Sequence, residues 1–195
     1  MNMTRTVAAL AMLASTAGCI SFGEDPPETL FTLTPREAVV GGRASSGLAE
    51  QAIAVSDITA PRKLAVMRIP VQVDDANLAY LQDAQWVELP ARLFSGLLAE
   101  TMRANSNRLV VESGDAEFAA DTQLTGMLQD MGYDARTGEV VVTFDAMLRG
   151  PTGIVRTQRF QSRVVAGSPE AASVAPALNQ AANDVAIAVA AWAQG

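Results

Sequence analysis

Residues Thr122 to Val165 read TQLTGMLQDMGYDARTGEVVVTFDAMLRGPTGIVRTQRFQSRVV, and this stretch decides the fold. Between Glu139 and Arg149, Val140, Val142, Phe144, Ala146 and Leu148 share one face, while Thr143, Asp145 and Arg149 lie on the other. A period of two marks a strand with one face against a core. Thr122 to Tyr133 and Ile154 to Val165 read as strands on either side of it. The connections hold Asp134-Ala135-Arg136-Thr137-Gly138 and Pro151-Thr152-Gly153, both good hairpin chemistry, so three antiparallel strands in a row are expected.

A helix follows from near Ser168, a suitable N-cap with Pro169 behind it. Val174, Leu178, Ala181, Val185, Val189 and Trp192 form its apolar stripe, and its many alanines let it lie close to a sheet. Pro176 is expected to delay regular helix by a turn. Upstream, Pro90 in a first turn and Trp86, Leu89, Leu93, Leu97 and Thr101 at three- and four-residue spacing predict a second helix, ended by Asn105-Ser106-Asn107. In that register Trp86 is a core residue. Tyr80 and Leu81 lie outside the helical period and are the candidate partner contacts, since exposed aromatics often anchor interfaces. Met127 and Met131 read as ordinary packing on one strand face.

Shorter strand-like runs precede these elements. Thr29 to Thr34 alternates; Leu64 to Val73 is broken by Pro70, which suggests an edge or a bulge; Arg108 to Glu112 is a third. Asp74-Asp75-Ala76-Asn77 reads as a solvated turn and Val39 to Ser46 as loop, with the apolar AIAVSDI after it available for packing. No internal repeat or heptad is evident.

The beginning of the chain has a different composition. Arg5 is the only charge before the apolar run Val7 to Ala14, and Ser15-Thr16-Ala17-Gly18-Cys19 closes it, the layout of a secretory signal. The run is far shorter than the roughly 20 apolar residues that span a bilayer. Two processing readings apply. Ordinary signal peptidase would use Ser15 and Ala17 and cut after Ala17, leaving Cys19 a stray thiol. Alternatively Thr16-Ala17-Gly18-Cys19 resembles a bacterial lipobox, with Thr16 in place of the usual leucine, cleavage between Gly18 and Cys19, and a diacylglycerol on the sulfur. The chain has one cysteine, so an exported form cannot make an internal disulfide, and lipidation would use the thiol. Two or more acyl chains hold a protein stably where one holds it marginally, each buried methylene contributing about 0.8 kcal/mol. Ile20 to Glu28, with Pro26-Pro27, reads as an extended tether.

Without residues 1–18 the chain has 195 − 18 = 177 residues, enough for one domain with a sizeable core. The expected division is a signal over 1–18, a tether over 19–29 and one domain over 30–195. Removing Arg5 leaves 13 basic against 21 acidic residues, a net charge of −8. Such a surface repels nucleic-acid phosphates and anionic headgroups, so no nucleic-acid partner is expected and membrane attachment must come through lipidated Cys19. There is no histidine, which removes Ser-His-Asp and Cys-His catalysis and the usual ligands of zinc, copper and haem. No phosphate-binding loop, dinucleotide fingerprint or nucleophile elbow occurs. We expect no enzyme, no metal and no cofactor.

The order of elements resembles a known family. The lipobox cysteine, Leu30 to Leu33 (LFTL), Asn77 to Glu100 (NLAYLQDAQWVELPARLFSGLLAE), the double hairpin from Leu124 to Phe160 and the terminal helix together resemble the auxiliary lipoproteins of MCE-type ABC transporters, the PqiC-like proteins among them. The resemblance implies a two-layer α/β (α+β) sandwich, and with the strands above the expected sheet is mostly antiparallel, with two main helices packed on it. It also implies an anchor in the outer membrane facing the periplasm, consistent with Ile20 after the lipidated cysteine. The implied role is assistance to lipid transport between the two membranes of a Gram-negative envelope. The partners it implies are an MCE-domain protein with its permease and ATPase. Other readings are an envelope assembly or structural lipoprotein without a transport role, and, with least support, a secreted hydrolase. The surface is compatible with a monomer or with a homo-oligomeric ring.

Overall fold

A computed structural model describes residues 30–42, 45–48, 51–112 and 120–195. Among them lie eight strands: β1 (Leu30–Phe31), β2 (Ile53–Thr59), β3 (Arg68–Gln72), β4 (Leu78–Trp86), β5 (Val110–Glu112), β6 (Thr122–Asp134), β7 (Glu139–Arg149) and β8 (Val155–Val165). Helix α1 (Pro90–Asn105) lies between β4 and β5, and α2 (Ala171–Gln194) closes the chain. All eight strands join one sheet, and both helices pack on one face of it.

Strand β6 is the spine. One edge pairs antiparallel with β7 along nearly its whole length, from Gln123↔Arg149 to Asp134↔Glu139, and β7 pairs with β8 over eleven residues. The expected meander is therefore present. The other edge of β6 is shared: β2 runs parallel to Thr122–Met127 and β3 runs parallel to Tyr133–Asp134. β1 on β4 and β5 on β2 are also parallel, so four of the seven pairings are parallel and the sheet is mixed, not mostly antiparallel. Antiparallel neighbours are joined by tight turns that leave a local signature, whereas parallel neighbours are joined by crossovers that leave none at either strand.

A bulge between Leu128 and Asp130 changes the parity of β6. Leu124 and Leu128 point into the core before it, Met131 and Tyr133 after it. Met127 and Met131 consequently fall on opposite faces, 39 % and 0 % exposed. Gly126 makes room for the Phe144 ring, which a Cβ at residue 126 would meet at 2.5 Å. Phe144 in turn packs on Phe94 of α1, ring centroids 5.1 Å apart.

α1 starts at Pro90 as expected, but its buried stripe is Phe94, Leu97, Leu98, Thr101 and Met102, and Leu89 is exposed. Trp86 is buried as the last residue of β4, ahead of the helix rather than in its register. α2 begins at Ala171, five residues before Pro176, so the proline lies inside the helix and does not delay it. Ala181, Ala182, Ala186 and Ala190 are buried along α2, and Trp192 packs edge-on against Phe160 at 5.7 Å. AIAVSDI becomes β2, with Ile53 and Val55 in the core. No helix among the described residues is long and apolar enough to cross a membrane.

A candidate partner-binding groove at the sheet edge

The edge opposite the meander is built around β4. Asp74 turns the chain from β3 into β4: its Oδ1 accepts the amides of Ala76 and Asn77, both at 2.9 Å, and its carboxylate also takes the Asn77 amide group. The Asn77 side chain and these two amides hold the Asp74 carboxyl below the usual carboxylate range. Beyond the turn, Pro70 pairs with Tyr80 but Arg68 pairs with Gln85, so two steps along β3 match five along β4. Pro70 has no N–H to give, and the surplus in β4 is taken up near Asp83, whose φ of 50° is a left-handed conformation that aspartate tolerates. The bulge keeps Leu81, Ala84 and Trp86 all facing the core, which strict alternation would forbid.

Among the described residues, β4 meets β1 on its outer side, at Gln85 and Trp86. The stretch before the bulge contributes to a groove of about 560 Å³ that runs inward over the sheet, from Ala79 and Leu81 across Val71 to Tyr133, with the start of α2 at Pro169–Ala172 beside it. Val71, Ala79, Leu81, Tyr133 and Ala135 make its walls apolar. Asp83 and Glu170 stand exposed at its rim. Among the described residues neither carboxylate has an ion-pair partner. Glu170 is also the N-cap residue of α2, without a side-chain capping bond.

Tyr80 and Leu81 both border this groove, from opposite faces of β4. Tyr80 is half-buried: its hydroxyl donates to the Lys63 carbonyl at 3.4 Å and the Arg68 guanidinium lies 5.1 Å from the ring centroid. Leu81 is 9 % exposed and belongs to the core, reaching the groove as part of its wall. Gly18 and Cys19 lie outside the described residues.

The sheet face turned away from the helices carries most of the remaining polar side chains, and they neutralise one another. Arg136 binds Asp134 at 2.7 and 2.8 Å and also Asp75; Lys63 binds Asp130 at 3.0 Å; Arg163 reaches Glu139 at 3.4 Å. Arg159 grips Asp145 through two bonds of 2.5 and 2.7 Å, and Gln129 adds a third at 2.9 Å. These arginines hold the Asp134 and Asp145 carboxyls below the usual range, and their carboxylate partners raise Arg136 and Arg159. No cluster of metal-ligating side chains occurs among the described residues. A depression of about 780 Å³ further along this face is flanked by Met127 and Met147, with Arg159 and Asp145 already joined in it.

Two polar features were silent in the sequence reading. Asn179 and Asn183 of α2 hold a strap, residues 33–39, across the helix layer. Asn179 accepts the Thr34 amide at 2.8 Å; Asn183 accepts the Arg36 amide at 2.7 Å and donates to the Thr34 carbonyl at 3.0 Å. Glu100 of α1 then accepts the Val39 amide at 2.8 Å. The available signal was the pair of asparagines four residues apart in an alanine-valine helix. Arg108 is the second: it donates to the Gln51 and Ala52 carbonyls and the Thr122 hydroxyl, joining the starts of β2 and β6, and burial lowers its pKa.

Fold and groove define a two-layer α/β domain, a mixed sheet with two helices on one face and an apolar groove beside the start of α2. The protein belongs to the family described as the ABC-type transport auxiliary lipoprotein component, whose family model matches residues 31–190. No curated protein matches. Among solved structures, a protein from Xanthomonas campestris in a domain family of unknown function superposes with a TM-score of 0.69 at 18 % identity, over 84 % of this chain and 94 % of that one. An uncharacterized protein superposes with a TM-score of 0.65 at 13 % identity, over 76 % and 95 %. At these identities the likeness is one of fold.

Proposed function

We propose that this auxiliary lipoprotein serves an MCE-type ABC transport system, standing in the periplasm on a lipid anchor at Cys19 and assisting lipid movement between the inner and outer membranes. The observation that carries the reading is the family match, which spans the domain from β1 into α2. A transport auxiliary must attach to something, and the groove beside β4 supports attachment through a protein partner: apolar walls, with the exposed carboxylates of Asp83 and Glu170 at its rim. In this reading the domain binds and makes no bonds itself. Its partners are an MCE-domain protein and, through it, the permease and ATPase, and Ile20 after the cysteine favours the outer membrane.

The test is a photo-crosslinking amino acid at Gln82 in the full-length protein, expressed in its own envelope. Capture of an MCE-domain protein is the expected result. Capture solely of cell-wall or outer-membrane assembly proteins would replace transport with the structural reading. Labelling with radioactive palmitate checks the anchor: wild type incorporates label and Cys19→Ala does not, whereas an unlabelled wild type would remove the lipid attachment.

A further inference from the structure

We propose that the β7–β8 hairpin docks on an anionic lipid surface, with the exposed side chains of Ile154 and Val155 entering the headgroup layer and the guanidinium groups of Arg149 and Arg156 binding lipid phosphates. This contact is additional to a lipid on Cys19 and does not depend on one.

Three observations converge on it. The hairpin tip is a fixed projection: the Gly150 amide donates to the Ile154 carbonyl and the Gly153 amide to the Gly150 carbonyl, both at 3.0 Å, and residues 151–159 are all exposed. Gly153 supplies the left-handed turn position, at φ 79°. On this tip Ile154 and Val155 stand side by side, 66 % and 51 % exposed. The third observation is charge. From Ala146 to Pro169 the chain holds four arginines and no acidic residue, within a molecule of net charge −7, so the repulsion of anionic headgroups expected of the whole chain is reversed here. Arg159 and Arg163 pair with Asp145 and Glu139, whereas Arg149 and Arg156 have no carboxylate partner among the described residues. These two flank the aliphatic pair, and Arg149 stands opposite Val155 in the ladder. Aliphatic side chains set between arginines match the boundary of acyl chains and headgroups, and an unpaired guanidinium takes phosphate through two parallel bonds. The hairpin also lies on the opposite side of β6 from β1, where the described chain begins.

Other occupants fit less well. Residues 149–159 contain no aromatic side chain, the usual anchor of a protein interface, and Trp192, over which Arg156 lies, is packed against Phe160. Nucleic-acid phosphates would meet the arginines but give Ile154 and Val155 nothing to enter. The depression between Met127 and Met147 is apolar too, but its Arg159 and Asp145 satisfy each other and leave no charge for a phosphate.

The experiment places an environment-sensitive fluorescent amino acid at Thr152 of the full-length chain, processed in its own envelope, purified and mixed with vesicles of phosphatidylcholine alone or with roughly one-third phosphatidylglycerol. On the anionic vesicles the fluorophore is expected to shift to the blue and to be quenched by spin-labelled lipid about fivefold more than on the neutral ones. The same fluorophore at Thr137, exposed on the β6–β7 turn, should show neither change. Arg149→Gln is expected to raise the phosphatidylglycerol needed for half-maximal quenching about fivefold, the factor that one arginine contributes at an anionic surface, whereas Arg92→Gln, which removes an equal charge from α1, should change it by less than about twofold. Ile154→Ser with Val155→Ser should abolish the blue shift while the denaturant midpoint stays that of wild type. Equal quenching on both vesicles, quenching at residue 137 as strong as at residue 152, or indifference to Arg149→Gln and to the serine pair would each overturn the proposal. So would capture of an acidic protein by a crosslinker at residue 152 in the envelope with no quenching on vesicles, which would make the tip a protein contact. The fluorophore reports on the tip whether or not Cys19 carries lipid, and no transport protein is present, so this proposal and the transport reading fail separately.

Discussion

The meander β6–β7–β8 and the strands β1 to β5 share one sheet but are held in different ways. In the meander each strand pairs with the next in sequence through a short turn, and the register between β7 and β8 is unbroken over eleven residues. Elsewhere β2 and β3 divide one edge of β6 between them, β1 contributes two residues, and the β3–β4 pairing skips around Asp83. Contiguous pairing makes the meander one nearly continuous ladder. The patchwork divides one edge of β6 and bends β4, and an apolar groove with exposed carboxylates at its rim lies over this part of the sheet. Regular and interrupted pairing are thus divided between the two halves of one sheet.

Substitutions should separate the two halves. The largest effect is expected at the meander's packing centre: Phe144→Ala should cost about 3–5 kcal/mol, read as a lower denaturant midpoint for the whole domain. An unchanged midpoint would mean that the Phe94–Phe144 contact is peripheral. Gly132→Ala tests the seam, because a Cβ at residue 132 would meet the Pro70 carbonyl at 2.5 Å and Pro70 Cγ at 2.9 Å. It should cost about 1–3 kcal/mol and expose amides of β3 and β4 to exchange ahead of β7 and β8. Asn183→Ala removes two part-buried bonds to the strap, at a cost of about 1 kcal/mol. Its signature is loss of protection at the Thr34 and Arg36 amides with β7 unchanged; uniform loss would show that strap and sheet open together.

The smallest effect concerns pH. Asp145 and Asp134 have depressed pKa values in the folded protein because Arg159 and Arg136 favour their charged forms. The unfolded chain therefore holds more protons as pH falls through the ordinary carboxylate range near 4, and the stability contributed by these pairs is present above that range and lost below it. Because both arginines are substantially exposed, the effect should be modest and should shrink in salt. Asp145→Asn is expected to flatten the acid limb of the stability curve slightly; an unchanged limb would leave the depression with no energetic weight.

What could be read beforehand follows the same division. Val140 to Leu148 and the two turns announced the meander because their information is local. Pro70 announced a bulge for a similar reason, since a missing N–H acts on its own pairing. β2 gave only an apolar run without partner or direction, and the parallel pairings gave nothing, because they depend on strands about 60 residues apart in sequence. The groove was half legible: Tyr80 and Leu81 stood out as residues without a helical period, but Glu170, about 90 residues later, could join them only once α2 was placed. Met131 packs in the core as expected, while Met127 does not, because the bulge between them puts it on the other face.

The strap has a mechanical consequence. A tug on the amino-terminal side of Leu30 would reach the sheet first, through the pairing of Leu30 and Phe31 with β4. Behind it, Thr34 is tied to Asn179, Arg36 to Asn183 and Val39 to Glu100. Load applied at that end would pass from the sheet into both helices, so tension would be spread across two layers.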